Sequence, residues 1–200
     1  MPGYAPRVSA SDENLTPLER HAAYFDPQRT GLIRFGQTYR GLRDLGVSRG
    51  WSATLASIIH AALGRRTSGE VSTIRIANIH RGKHDSDTGV FDAEGKLVEA
   101  RFDALFASIA HTHPPDVITR NEFRAFMKAN GPQSAAGGFF SWAEAKLFFC
   151  VAADTDKTED GKKVPAIRRA TLRAFYEGKL LPRVRELRRL RAKRAARRST

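Results

Sequence analysis

Apolar residues recur three and four positions apart along most of the chain, a spacing that predicts a mainly α-helical protein. The first such stripe carries Leu18, Ala22 and Phe25. The segment TPLE at residues 16–19 opens it with a capping box, and the proline stands at the first helical position, where a missing N–H costs nothing. His21 lies on the same stripe, where a buried ring needs a polar partner.

The same spacing predicts further helices and one short strand. A second helix carries Phe35, Tyr39 and Leu42, and a third covers residues 51–63. Two more capping boxes, TRNE and SWAE, open helices with the apolar residues Phe123, Phe126, Met127, Leu147, Phe148 and Val151. Alternation of residue types between positions 71 and 79 favours a short extended stretch.

The positive charge of the chain is concentrated at one end. The formal net charge is +13, and residues 183–198 contain nine basic residues and one glutamate. Such a run is most often a solvated helix, and attraction to an anionic membrane surface is the next interpretation. Nucleic acid is not an expected partner, because no aromatic residues interleave with the basic ones. We divide the chain into a flexible N-terminal segment (1–15), one domain (16–184) and a basic tail (185–200).

Cysteine content and hydropathy indicate an intracellular protein. Cys150 is the single cysteine, which excludes an internal disulfide framework and a CxxC zinc site. Residues 1–17 contain no apolar stretch of the kind found in a secretory signal. The apolar segment 51–64 is shorter than the roughly 20 residues that span a bilayer, so we expect a core or interfacial helix. The expected location is the cytoplasm or the periphery of a lipid surface.

The polar segment NIHRGKHDSDTG, residues 78–89, contains the strongest candidate chemistry. His80 and His84 stand four residues apart, as in a helical zinc site. Gly82 and the preceding strand-like run argue against a continuous helix here, and no motif supplies further zinc ligands. The residues alone leave open a solvated polar loop or another function.

A second candidate is a helix–loop–helix with the frame of an EF-hand at residues 26–37. Gly31 stands at the turn position and Ile33 at the apolar position that follows. Only one loop position carries a carboxylate, so calcium binding should be very weak or lost. The residues at the ligand positions are Asp26, Gln28, Thr30, Leu32 and Gln37. The fold class is therefore mainly α, with an EF-hand-like helix–loop–helix pair, additional helices and short β segments.

Several separated motifs resemble the caleosin family, the haem-containing peroxygenases of plants and fungi. They occur in the family's order over residues 18–184. The matching strings are HAAYFD at 21–26, TYRGLRDLG at 38–46, NIHRGKHDSDTGVFD at 78–92 and AFYEGKL at 174–180. The string at 78–92 is the most specific of the four. A second loop at 156–161 looks degenerate, because Lys163 takes its usual apolar position.

The resemblance implies haem b held by two histidines, which fall on His21 and His84. Imidazole is a common axial ligand of haem iron. Both residues are also the implied catalytic residues, one proximal and one distal, and which is which stays open. His80 is expected to orient its loop. The other histidines, expected to be structural or exposed, are His60, His111 and His113.

The reaction implied by the resemblance transfers oxygen from a lipid hydroperoxide to an unsaturated fatty acid or another apolar substrate. No reductase is needed, and no GxGxxG dinucleotide motif is present. A lipid-droplet or anionic membrane surface is an expected partner. The alternative is a non-catalytic EF-hand-like protein that interacts with lipid surfaces, with structural histidines.

Overall fold

The computed structural model describes residues 14–82, 88–112, 114–130, 147–159 and 161–198. These residues are mainly helical with short strands, which confirms the mainly α class, while the EF-hand-like pairing stays a prediction. The α-helices are Pro17–Ala23 (α1), Phe35–Asp44 (α2), Arg49–Ser68 (α3), Glu99–Ile109 (α4), Arg120–Asn130 (α5), 147–152 (α6), Arg169–Tyr176 (α7) and Leu180–Arg198 (α8). A 3-10 helix covers Ile76–Gly82. The strands are Leu32–Arg34 (β1), Thr73–Arg75 (β2), Val117–Thr119 (β3), Thr155–Glu159 (β4) and Lys162–Arg168 (β5).

Two of the predicted capping boxes are present. At the start of α1 the Glu19 amide donates to Thr16 Oγ1 at 3.3 Å, and the Thr16 amide donates to Glu19 Oε2 at 2.9 Å. The same exchange joins Thr119 and Glu122 at the start of α5. Each exchange satisfies amides that a helix start leaves without partners. The third box, at residues 141–144, lies outside the described residues.

Helix α3 extends beyond the predicted 51–63 at both ends. It stops at Gly69, which adopts a left-handed conformation with φ +86° and donates its N–H to the Arg65 carbonyl. One face of α3 is buried, as expected of a core helix: Ser52, Leu55, Ala56 and His60. None of the described helices combines the length and apolar character needed to cross a membrane.

Short antiparallel strands join successive helix–strand–helix units in pairs. In the first half (residues 17–82), β1 pairs with β2 and places Ile33 opposite Ile74. In the second half (residues 90–176), β3 pairs with β5 and places Ile118 opposite Ile167. The predicted second loop around Asp156 is instead a β-hairpin, because β4 also pairs with β5 along its whole length.

Each half buries its own apolar cluster. The first half buries Ile33, Ile74, Ile76 and Ile79 together with Ala22. The larger cluster of the second half includes the buried side chains Phe102, Phe106, Ile109, Ile118, Phe149, Ile167 and Leu172. Phe25 packs against the first cluster and against the two smaller clusters formed around α2, α3 and α8.

The basic C-terminal segment is one continuous helix with the end of the domain. Leu180 and Leu181 are buried at the start of α8. Farther along, the Arg185 guanidinium lies 5.3 Å from the centre of the Tyr24 ring. The guanidinium of Arg188 fills the space beside Gly46. The predicted boundary at residue 185 therefore falls inside a helix whose first turns pack on the first half.

Candidate active site

An apolar cavity of about 440 Å³ lies between the two halves of the chain. Ile33 and Ile74 line it from the first half, and Ile109, Phe123 and Leu172 from the second. Its volume is within the range of small-molecule sites. The described polar side chains on its wall are few: His21, Thr38, His80, Thr88 and Tyr176.

His21, on the last turn of α1, brings the first imidazole to this cavity. Its ring packs edge-on against Phe175, with the ring centroids 4.7 Å apart. Burial lowers the pKa of His21 below the usual 6.5, although the nearby polar backbone of Phe175 opposes the shift. The ring is therefore largely uncharged near pH 7, and an uncharged imidazole offers a nitrogen lone pair to a metal.

A close approach between two backbone segments sets the position of His21. Gly178, in the turn after α7, has φ +72°. A Cβ on Gly178 would lie 2.6 Å from the His21 amide nitrogen. Only glycine allows α1 to come this near to the turn. Because Phe175 lies three residues before Gly178, the same approach brings its ring against the His21 ring.

His80, expected to orient its loop, also lines the cavity. It is half-buried on the 3-10 helix that packs against α1. His84 lies outside the described residues, so its place beside His21 stays a prediction. The structure therefore brings together His21 and a histidine that the sequence did not assign to the site.

The other histidines are not on the described cavity wall. His60 is 2% exposed, and its Nε2 lies 2.9 Å from Thr38 Oγ1. Its Nδ1 has no hydrogen-bond partner within the described residues. Burial lowers the pKa of His60, and the nearby backbone of Val71 and Ser72 opposes this without completing a hydrogen bond to Nδ1. As predicted, His60 is structural; His111 is exposed, and His113 lies outside the described residues.

The loop at residues 26–37 is closed by hydrogen bonds to one buried carboxylate. Asp26 accepts the Gly31 amide at 2.7 Å, the Thr30 hydroxyl at 3.2 Å and the Gln37 side-chain amide at 3.4 Å. Gln37 in turn accepts the Arg34 amide at 2.7 Å. Neutral donors surround the carboxylate, and Gln28 is exposed.

Three polar positions of the cavity wall could not be assigned from the sequence: Thr38, Thr88 and Tyr176. The Tyr176 hydroxyl lies 3.1 Å from Thr88 Oγ1, and both residues line the cavity. Tyr176 belongs to the string at 174–180, which suggested a family but no role. Thr38 lies inside the predicted second helix, where a hydroxyl among apolar residues was the available signal.

The sequence model of one protein family, described as caleosin related protein, matches residues 13–185. The chain belongs to the caleosin family. A relative named probable peroxygenase 4, from Arabidopsis thaliana, is 31% identical over 169 residues, which cover 82% of both chains. A peroxygenase from Lilium longiflorum is 32% identical over 177 residues, covering 86% of this chain and 70% of its own.

A third relative is named as an inactive protein rather than as a peroxygenase. The probable inactive peroxygenase-like protein of Arabidopsis thaliana is 27% identical over 158 residues, covering 76% of this caleosin and 71% of its own chain. No solved structure matches the chain. Family membership alone does not separate active from inactive relatives, so the function has to be inferred from the residues at the cavity.

Proposed function

We propose that this caleosin is a haem-dependent peroxygenase in which His21 ligates the iron. Family membership and the names of two relatives support a peroxygenase function. The observation that carries the proposal is His21, a half-buried imidazole that lines an apolar cavity and whose ring packs on Phe175. His84 is proposed as the second histidine of the site, on the strength of the string at 78–92.

The described residues fit a haem group in two respects. Apolar side chains make up most of the cavity wall, as a hydrophobic macrocycle requires. His21 supplies an imidazole, a common axial ligand of haem iron, and its ring packs on Phe175. Bound haem would supply an iron centre that activates the O–O bond of a hydroperoxide. The role of the polypeptide would be to hold that group, to orient His21 and to exclude water.

The proposed substrates are a hydroperoxide and an unsaturated fatty acid or another apolar molecule. Side chains such as Phe123, Phe126 and Leu172 would bind a hydrocarbon chain through burial of apolar surface. Oxygen transfer then converts the hydroperoxide to its alcohol and the alkene to an epoxide, with hydroxylation as the counterpart at a C–H bond. With ¹⁸O-labelled cumene hydroperoxide and oleic acid, the epoxide should carry the label without any added reductant. Unlabelled epoxide would contradict the proposal.

The visible spectrum tests the cofactor directly. The protein loaded with haem should show a Soret band, and His21→Ala should strongly weaken it while leaving helical circular dichroism nearly unchanged. His111→Ala is the matched control, because His111 is exposed and away from the described cavity wall. Full haem retention in His21→Ala would refute the assignment of His21.

The loop at 26–37 is proposed to be an EF-hand-type loop with little calcium affinity. Its strand β1 pairs with β2, as strands do in paired EF-hands, and the Gly31 amide donates a hydrogen bond to the Asp26 carboxylate. Asp26 is the single carboxylate among the ligand positions. Calorimetry should show no binding tighter than roughly millimolar, the weak end for such sites. Micromolar affinity would contradict this proposal.

The outward face of α8 is proposed to bind anionic lipid surfaces, including a lipid droplet. Leu187 and Leu190 are 45% and 41% exposed among the arginines of this helix. Each basic residue near such a surface contributes roughly 1 kcal/mol, screened by salt. Binding to phosphatidylserine vesicles should fall as salt rises, and binding to neutral vesicles should be absent. Equal binding to both would refute the electrostatic account.

A non-catalytic lipid-surface protein is the second candidate. The observation that favours this candidate is the similarity of the chain to a relative named as an inactive peroxygenase-like protein. Such a protein would bind vesicles through α8 but show no Soret band and no oxygen transfer. The spectrum and the vesicle assay together separate the two candidates.

A further inference from the structure

We infer that His80 is the residue that moves the proton of a hydroperoxide bound in the cavity. This inference rests on the proposed peroxygenase function. It assigns a role to a histidine that the string at 78–92 contains but that the resemblance does not use. Three features of the structure carry it: the fixed position of His80, its proximity to the element that bears His21, and a ring that makes no hydrogen bond to any other described residue.

The backbone around His80 is fixed by its neighbours. The Asn78 side chain donates to the Thr67 carbonyl at 2.8 Å. Ile79 is buried in the apolar cluster of the first half. Gly82 comes so near to α3 that a Cβ there would lie 2.7 Å from Leu63 Cδ2. With both flanks held, the half-buried ring of His80 faces the cavity from a defined position.

His80 and His21 lie on elements that pack directly together. Helix α1 contacts the 3-10 helix, and Ala22 and Ile79 share one buried cluster. Each element carries a histidine next to its buried residue, and both histidines line the same cavity. A ligand that contacts one imidazole is therefore within the same compartment as the other.

The two rings differ in their surroundings. The His21 ring packs edge-on against the Phe175 ring. Within the described residues the His80 ring makes no hydrogen bond, whereas the wall hydroxyls of Thr38 and Tyr176 are paired with other side chains. An imidazole has one nitrogen that can accept a proton and one that can donate it. The His80 ring is thus suited to proton transfer, whereas packing on Phe175 holds the His21 ring in one orientation.

The overall reaction requires one such transfer. A hydroperoxide R–O–O–H carries its proton on the terminal oxygen, which is the oxygen that enters the epoxide. The inner oxygen leaves as the alcohol R–O–H and must gain a proton when the O–O bond breaks. An imidazole that accepts the proton from the terminal oxygen and returns one to the inner oxygen balances the reaction, and the alkene is oxidised as the peroxide is reduced.

Cumene hydroperoxide distinguishes this role from a structural one. Two-electron cleavage of its O–O bond gives cumyl alcohol, whereas one-electron cleavage of the same bond leads to acetophenone. In haem-loaded His80→Gln, alcohol formation should fall about 100-fold or more while haem content is unchanged and the acetophenone share rises. Added imidazole should partly restore His80→Ala. The control His111→Gln should match the wild type.

An unchanged rate and product ratio in His80→Gln would overturn the inference while leaving the peroxygenase proposal intact. A haem-loaded wild type that transfers no oxygen would instead overturn the proposed function, and this inference with it. The two failures are therefore separate results.

A measurement on the haem-free protein tests the location of His80 independently of activity. Diethylpyrocarbonate labels accessible histidines, and peptide mass spectrometry reports each one. Saturating 1-dodecanol should protect His80 several-fold and leave the labelling of His111 unchanged. Equal labelling of His80 with and without the saturating alcohol would overturn the inference, even if the His80 variants fail to fold.

Discussion

Replacing Gly178 by alanine should displace His21 and destabilise the protein. The substitution adds one methyl group at a position with φ +72°, and that carbon would lie 2.6 Å from the His21 amide nitrogen. The obstructing atoms belong mainly to the backbone of residues 20 and 21, so no side-chain rotation relieves the contact. Either α1 or the turn after α7 has to move.

The expected loss of stability in Gly178→Ala has two parts, which a control variant can separate. A left-handed conformation costs alanine about 1–2 kcal/mol, and overpacking costs about 1–3 kcal/mol more. Gly161 has φ +75° but no atom within 4 Å of its added Cβ, so Gly161→Ala carries the conformational part alone. The difference between the two variants should therefore be about 1–3 kcal/mol.

Urea unfolding followed by circular dichroism gives both free energies of unfolding. At about 2–4 °C per kcal/mol for a chain of this size, the melting temperature of Gly178→Ala should lie roughly 2–12 °C below that of Gly161→Ala. Haem content should fall in Gly178→Ala and remain at the wild-type level in Gly161→Ala. Equal stability of the two variants would refute the close approach, and normal haem content in Gly178→Ala would refute its role in holding His21.

Three further predictions concern pH, one carboxylate and the basic helix. The folded-state pKa values of His21 and His60 are lowered, chiefly by burial, so below pH 6.5 the unfolded chain takes up protons that the folded chain does not. Stability should fall by up to about 1.4 kcal/mol per pH unit for each histidine, and His60→Gln should flatten the slope in urea titrations. Burial opposes ionisation of Glu122, but hydrogen bonds from Thr119 and Thr112 outweigh this effect and lower the pKa of its carboxyl group. Glu122→Gln should therefore lower the free energy of unfolding by about 1.5–3 kcal/mol at pH 7. The difference from the wild type should shrink as acid protonates the wild-type carboxylate. Deleting residues 193–200 should leave the melting temperature unchanged, whereas deletion from residue 185 should lower it, and equal melting temperatures would contradict the packing of α8.

Local signals explain why much of the fold could be predicted. The boxes at residues 16–19 and 119–122 act through neighbouring atoms, so the sequence contains all the information that places α1 and α5. The apolar spacing of α2 predicted the buried Leu42, but Phe35 is exposed and the polar residues Gln37 and Thr38 are buried instead. By contrast, the pairing of Ile33 with Ile74 joins segments 41 positions apart, and no local pattern specifies that register.

The candidate site was predicted less completely, for the same reason. His21 could be found because an imidazole on an apolar helical stripe is unusual in itself. The role of Gly178 depends on its distance from a residue more than 150 positions earlier, which no spacing reveals. His80 stood beside His84 in one string, and the residues alone did not show that its ring faces the cavity.

The packing of the His21 ring on the Phe175 ring connects the two halves of the chain. His21 belongs to α1 in the first half, and Phe175 to α7 in the second. The orientation of the proposed iron ligand therefore depends on correct docking of the halves, as does the cavity, whose walls come from both. The converse also holds, because a group bound to His21 and to both walls binds only the docked arrangement and so stabilises it by mass action. The apolar cavity and the imidazole on its wall are thus parts of one interface, and the close approach at Gly178 holds that interface together beside His21.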